Sequence, residues 1–197
     1  NSIINLKANL DQIKDAFDYY KMSAETGYEK GIFRYARFLE NGIGTPDNKP
    51  NEKLAVEYYD ILAKRGDMAC MRHAAHILIN SSDIEKKKKA VQYFKAASDL
   101  GDVESMYQFG CLLENGVANE VLKKNERMAA TLIKNSADSQ YEDAIIKYSN
   151  MLMHGIGVRK SKDESIRYLQ QAADNGSIKG IFLYVDYLRS ENKLDDC

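Results

Sequence analysis

The chain has 197 residues, 44% of them hydrophobic and 29% charged, with 28 Lys and Arg against 29 Asp and Glu. A net charge of −1 leaves no long-range field to draw in nucleic acid or an anionic membrane, and three cysteines are too few for a disulfide-built scaffold. No apolar stretch approaches the roughly 18 residues that a bilayer span requires, and residues 1–11 lack the basic-then-apolar order of a secretory signal, so a soluble cytoplasmic protein is expected, with the ER lumen as the alternative if a signal peptide precedes Asn1.

Apolar periodicity predicts helices at 8–25, 28–41, 51–64, 67–80, 85–99, 102–115, 123–137, 141–154, 162–174 and 177–190, and no strand. They pair around a recurring anchor, Gly27, Gly66, Gly101, Gln140 and Gly176, at separations of 39, 35, 39 and 36 residues. Twelve residues past each anchor stands a leucine: Leu39, Leu78, Leu113, Leu152 and Leu188. Small residues fill offset 4 (Gly31, Cys70, Ser105, Ala144, Gly180), and offset 5 is aliphatic throughout (Ile32, Met71, Met106, Ile145, Ile181). Offsets 4, 5, 8, 9 and 12 trace one face of a helix with 3.6 residues per turn. Ahead of each anchor, offsets −8 and −7 carry large groups, such as Tyr58 and Tyr59 or Tyr93 and Phe94, while offsets −11, −4 and −3 are mostly small. Large columns facing small ones let antiparallel helices interdigitate.

Each anchor closes a helix, and glycine adopts the left-handed conformation this needs without a Cβ penalty. Gln140 is therefore expected to turn by a different geometry. The helices after the anchors exit through Gly42-Ile43-Gly44, Gly116-Val117-Ala118 and Gly155-Ile156-Gly157. The second repeat reads Ser81-Ser82-Asp83 there, with a shorter connection.

The order small-x-x-x-aromatic-small-x-x-Leu, Gly-x-Gly, Ala-x-x-aromatic-aromatic-x-x-Ala-Ala-x-x-Gly resembles the Sel1-like repeat family, relatives of the tetratricopeptide class. Gly31 to Gly66 and Ala144 to Gly176 carry it most clearly. The leucine column, where the family usually has Tyr, and the missing loop glycines at 81–83 are departures from the pattern. The resemblance implies an all-α fold, an α/α superhelix or solenoid of antiparallel helix pairs, with residues 1–197 forming a single array of four to five units. It also implies an interaction scaffold without chemistry of its own. The register opens inside one unit and closes inside another, so a piece of a longer protein is expected, or atypical caps built from Ile3 to Asp11 and Leu183 to Leu194.

If the helix after each anchor lines a concave surface, as in tetratricopeptide arrays, offset 6 offers Phe33, Arg72, Tyr107, Ile146 and Phe182 to a partner. Offset 10 offers Arg37, His76, Cys111, Asn150 and Asp186. Aromatic groups supply buried area and Arg supplies forked hydrogen bonds, which is what a peptide groove needs. Packing is the competing role for Phe33, Tyr107 and Phe182. Cys70-x-x-His73-x-x-His76 has metal-like residues, but Cys70 falls in the buried small column and no third ligand stands at a recognisable spacing, so His73 and His76 read as surface histidines. Lys86 to Lys89 reads as a solvated helix start, and the scattered Asp and Glu as solubilising charge.

No nucleophile elbow, His-Glu-x-x-His or phosphate loop is present, so no catalytic, cofactor or metal site is expected. The leading expectation is a non-enzymatic adaptor that binds a protein or peptide segment, or a subunit of a larger complex, with no nucleic acid and no membrane insertion. A regulatory repeat region attached to a catalytic domain outside this chain is the alternative.

Overall fold

The computed structural model describes residues 2–190, so the end of the cap expected over 183–194 lies outside the described residues. These are all-α: α1 (Ser2–Glu25), α2 (Glu29–Asn41), α3 (Glu52–Ala63), α4 (Met68–Ile79), α5 (Ile84–Asp99), α6 (Val103–Asn115), α7 (Ala118–Val121), α8 (Glu126–Asp138), α9 (Glu142–His154), α10 (Lys162–Asp174) and α11 (Ile178–Ser190). The short α7 is the one element the periodicity does not announce. It sits inside the long third connection, closed by a two-way backbone pairing between Val117 and Leu122 at 2.9 Å.

The chain divides into two compact units, residues 1–97 and 98–197. In the first, α1 packs on α2, α2 on α3 and α3 on α4. Their core is built from the predicted columns: Ile32, Tyr35, Ala36 and Leu39 of α2 meet Ala55, Tyr59, Leu62 and Ala63 of α3, then Cys70, Met71 and Ala74 of α4. Rings of Phe17, Tyr35 and Tyr58 stand in series, with centroids 5.2 and 4.9 Å apart. In the second unit α6 packs on α8, α8 on α9, α9 on α10 and α10 on α11. Tyr148 meets Tyr168 at 5.0 Å, the same offsets as Tyr35 and Tyr58. Each fully buried large side chain contributes about 1.5–3 kcal/mol. The small columns set how close the helices come: a Cβ on Gly110 would stand 2.6 Å from Ile133 Cγ1.

The anchor turns share one geometry. The anchor N–H donates to the carbonyl three residues back, as from Gly66 to Ala63 at 3.0 Å, and the next N–H reaches five back, as from Asp67 to Leu62 at 3.2 Å. Gln140 departs from the expectation set for it. Its φ is +66°, within the left-handed region, and it makes the same bonds, Gln140 N–H to Ala137 O at 2.9 Å and Tyr141 N–H to Ser136 O at 3.2 Å. Two bonds and the packing of α8 on α9 hold a side-chain-bearing residue where glycine would fit without strain.

The leucine column also does backbone work. The carbonyls of Leu39, Leu113 and Leu152 accept from the N–H of Asn51, Asn125 and Ser161 at 2.8, 2.7 and 2.9 Å. Those three residues cap the next helix with their side chains. At the end of α4 the N–H of Asp83 turns instead to Ser81 Oγ at 3.1 Å, and Asp83 Oδ1 accepts from Glu85 N–H at 2.8 Å. The second repeat therefore has its own, shorter way into the next helix.

Candidate functional site

In the first unit, offsets 6, 10 and 13 of α2 place Phe33, Arg37 and Glu40 beside Tyr59 of α3 and His73 of α4. Tyr59, fully buried, donates its hydroxyl to Glu40 Oε2 at 2.6 Å. His73 Nδ1 lies 3.2 Å from the same oxygen, and its ring stacks on Tyr59 with centroids 5.2 Å apart and planes 12° from parallel. Arg37 Nη1 approaches His73 Nε2 at 3.4 Å, and Arg37 Nε lies 3.7 Å from Glu40 Oε2. His73 thus turns Nδ1 toward the Glu40 carboxylate and Nε2 toward Arg37. Burial raises the pKa of the Glu40 carboxyl, but the hydrogen bonds from His73 and Tyr59 and the charges of His73 and Arg37 outweigh it and hold the group below its ordinary value. Burial and the Glu40 bond push Tyr59 far up, so it stays a neutral donor.

The expectation of surface histidines is corrected here: His73 is 19% exposed and tied at both nitrogens, and the His76 ring stands edge-on to Phe94 at 5.0 Å. The reading of acidic residues as solubilising charge fails at the same place. It fails again at Asp60, which pairs with Lys89 and accepts from Tyr93 at 2.8 Å.

In the second unit Glu114, at offset 13 of α6, lies against Lys147 of α9, with Nζ 2.6 Å from Oε2. Glu114 Oε2 is buried and accepts no well-angled hydrogen bond, so this contact is electrostatic. Glu40 to His73 and Glu114 to Lys147 are the same relation, offset 13 of one repeat to offset 7 of the next. Tyr107 and Cys111 stand one turn apart on α6, and Tyr107 meets the Tyr141 ring at 5.4 Å. Burial raises both their pKa values, which keeps Cys111 a thiol.

Further along the second unit the face opens. A pocket of about 340 Å³ between α9, α10 and α11 is lined by Ile146, Asn150, Met153, Leu169, Leu183 and Asp186, among others. Three of the predicted residues, Ile146, Asn150 and Asp186, are brought together there. Asp186 is exposed, and no cation pairs with it among the described residues. Phe182 is 65% exposed beside Leu183 but does not line the pocket. Phe33 and Tyr107 are half-buried and serve packing, while Arg72 and His76 are half-buried. The sequence reading passed over Glu40, Glu114 and Lys147, gave Tyr59 a packing role alone and took His73 for a surface residue. The signal was present in an acid at offset 13 followed by a base at offset 7 of the next repeat.

Among the described residues no group of three or more His, Cys, Asp or Glu is placed to hold a metal ion, and no helix is long and apolar enough to cross a membrane.

A family model described as Sel1 repeat matches residues 6–28, 30–67, 68–102, 103–141 and 137–177. Among solved structures, a protective antigen present in uropathogenic Escherichia coli strains and displaying an SLR fold is 21% identical, with a TM-score of 0.77 over 91% of this chain and 38% of that one. A Sel1 repeat protein from Oxalobacter formigenes is 19% identical, with a TM-score of 0.72 over 87% of this chain and 66% of its own. The cysteine rich protein B of Helicobacter pylori is 23% identical, with a TM-score of 0.53 over 71% of this chain and 98% of its own. At these identities the likeness is one of fold, the α/α solenoid of antiparallel helix pairs. The chain thus spans less than two thirds of the length of the first two. No curated protein matches it.

Proposed function

The chain belongs to the Sel1 repeat family, and from that premise we propose that it is a non-enzymatic adaptor that holds a protein segment against the face formed by offsets 6 and 10 of its repeats. Proteins of this family are generally protein–protein interaction scaffolds. One observation carries the reading beyond the family: the pocket between α9, α10 and α11 combines an apolar wall of Ile146, Met153, Leu169 and Leu183 with the exposed carboxylate of Asp186, which no cation pairs with among the described residues. That combination suits an aliphatic or aromatic side chain of a partner next to a Lys or Arg. Phe33, Arg37, Arg72 and His76 in the first unit, and Tyr107, Cys111 and Phe182 in the second, stand at the same repeat offsets and would contribute area and hydrogen bonds within their own unit.

Peptides selected by phage display against the whole chain test this. Selected sequences are expected to pair a large apolar residue with a basic one, and to bind Asp186→Lys and Ile146→Lys variants at least about tenfold more weakly. Asp186 is exposed, so its reversal leaves the fold intact, which helical circular dichroism verifies. Selection of sequences without a basic residue, or equal binding to both variants, overturns the reading.

A further inference from the structure

In two repeats the connection that leaves the second helix folds back onto the helix before the anchor. Gly44 (φ +71°) lies on α1 so closely that a Cβ would stand 2.8 Å from Phe17 Cβ and 3.2 Å from the Ile13 carbonyl. Gly157 (φ +66°) lies on α8, where a Cβ would run into the carbonyl of Glu126. Ile13 and Phe17 stand at offsets −14 and −10 from their anchor, and Glu126 and Ala130 at the same offsets from theirs. Phe17 and Ala130 are accordingly buried, at 8% and 1% exposure. The Gly44 loop brings Thr45 with it, buried, its hydroxyl 3.0 Å from the carbonyls of Gly42 and Lys49.

The second repeat has no such loop. Residues 80–83 are spent on closing α4 and capping α5, and none of their hydrogen bonds reaches α3. The equivalent of Phe17 is Val56, which is half-buried. Above it lies a pocket of about 460 Å³ floored by Val56, Ile77 and Leu78, a size typical of ligand sites. Three lysines (Lys53, Lys86, Lys89) and three acids (Glu52, Glu57, Asp60) surround this floor, so it carries no net field to select a phosphate, a polyacid or a polycation. Asp60 and Lys89 already neutralise each other.

We propose that this socket binds an uncharged peptide turn from a partner protein, a glycine followed by a β-branched residue, as the loop Gly42-Ile43-Gly44-Thr45-Pro46 does at the equivalent place in the first repeat. The chain itself is the template. The backbone of the glycine passes where a Cβ would collide, and the β-branched side chain covers the apolar floor. The site differs from the α9–α11 pocket in residues and in ligand, and it stands whether or not that pocket binds a basic peptide.

The probe is a peptide of residues 42–46 with both ends blocked, which carries no charge, titrated into the full chain labelled at Val, Leu and Ile methyls. Saturable shifts are expected at Val56, Ile77 and Leu78, with a dissociation constant on the order of 1 mM. Val56→Lys is expected to weaken binding at least about tenfold. A second variant, with residues 80–83 replaced by the sequence of 42–50, is expected to show the shifted methyl positions without peptide and to bind none. Absence of saturable shifts at these methyls overturns the proposal. So do equal shifts from a peptide with both glycines changed to alanine, or stronger shifts from inorganic phosphate, which would make the socket an anion site.

Discussion

Replacing Tyr59 with Phe removes one hydroxyl from the centre of the first unit and leaves every ring where it is. The hydroxyl donates to Glu40 at 2.6 Å, whereas the ring keeps its stack on His73 at 5.2 Å and its edge contact with Phe33 at 6.2 Å. A hydrogen bond to a charged acceptor is worth about 1.5–3 kcal/mol. Glu40 is 22% exposed at its side chain, so water can replace part of the lost bond and the lower end of that range applies, about 1.5–2 kcal/mol. With a urea dependence of about 2 kcal/mol per molar, the midpoint of the helical signal falls by about 0.7–1 M. The same change made in a Glu40→Gln background costs about 1 kcal/mol less, because the acceptor is no longer charged. Tyr168→Phe is the control: its hydroxyl donates to Asp138 at 2.7 Å, but that carboxylate is 49% exposed, so the loss stays below about 0.5 kcal/mol. Equal costs for Tyr59→Phe with and without Glu40, or equal costs for Tyr59→Phe and Tyr168→Phe, would refute the claim that a desolvated carboxylate organises this unit.

Gln140→Gly relieves a left-handed residue of a cost of about 1–2 kcal/mol and returns part of it as chain entropy and as the lost bond from Asn175 Nδ2 at 2.6 Å; thermal unfolding is expected to show a net gain of about 0.5 kcal/mol, and a loss would mean the side chain supports the turn. Glu40 has a folded-state pKa below its ordinary value of 4.5, so its stabilising contribution is complete above that pH and disappears as pH falls through the folded value. Urea midpoints of the wild type and Glu40→Gln are therefore expected to converge as pH falls from neutral through the range below 4.5, and a difference that does not change with pH contradicts the assigned partners.

The core columns were legible because they obey a local rule. Leu39, Leu78, Leu113 and Leu152 are buried at one offset because a helix of 3.6 residues per turn returns each of them to the same face. The exceptions are physical. Ile181, in a column otherwise largely buried, is 44% exposed on α11, where none of the described helices follows to cover it. Gln140 was misjudged because a propensity is a preference among conformations, and two backbone bonds with a packed neighbour override it. The Glu40 cluster was not legible from any single repeat. Offset 13 points along its own helix toward offset 7 of the next one, so the pairing exists only once two repeats are stacked. A carboxylate at offset 13 is indistinguishable from surface charge until that neighbour is read with it.

This pairing also decides which part of the offset-6 and offset-10 face remains open to a partner. In the first unit Arg37 has His73 and Glu40 as partners, and the half-buried Phe33 ring packs on Tyr59 and His73. A ligand arriving there has to compete with bonds already made, and it gains only the difference between new contacts and old. In the second unit the equivalents are Ile146, Asn150 and Asp186, apolar or polar groups without an acid–base partner among the described residues, arranged around a pocket. A ligand there displaces water from an apolar wall and meets a carboxylate whose charge is not yet spent. One repeat pattern thus produces a stapled face where offset 13 is acidic and offset 7 of the next repeat is basic, as at Glu40 and His73, and an open one where the same offsets are Met153 and Leu183. Substituting Met153→Glu and Leu183→Lys together is therefore expected to transfer the staple to α9 and α11 and close the pocket proposed above to receive a partner's side chain, which loss of binding by the selected peptides with unchanged helical circular dichroism would check.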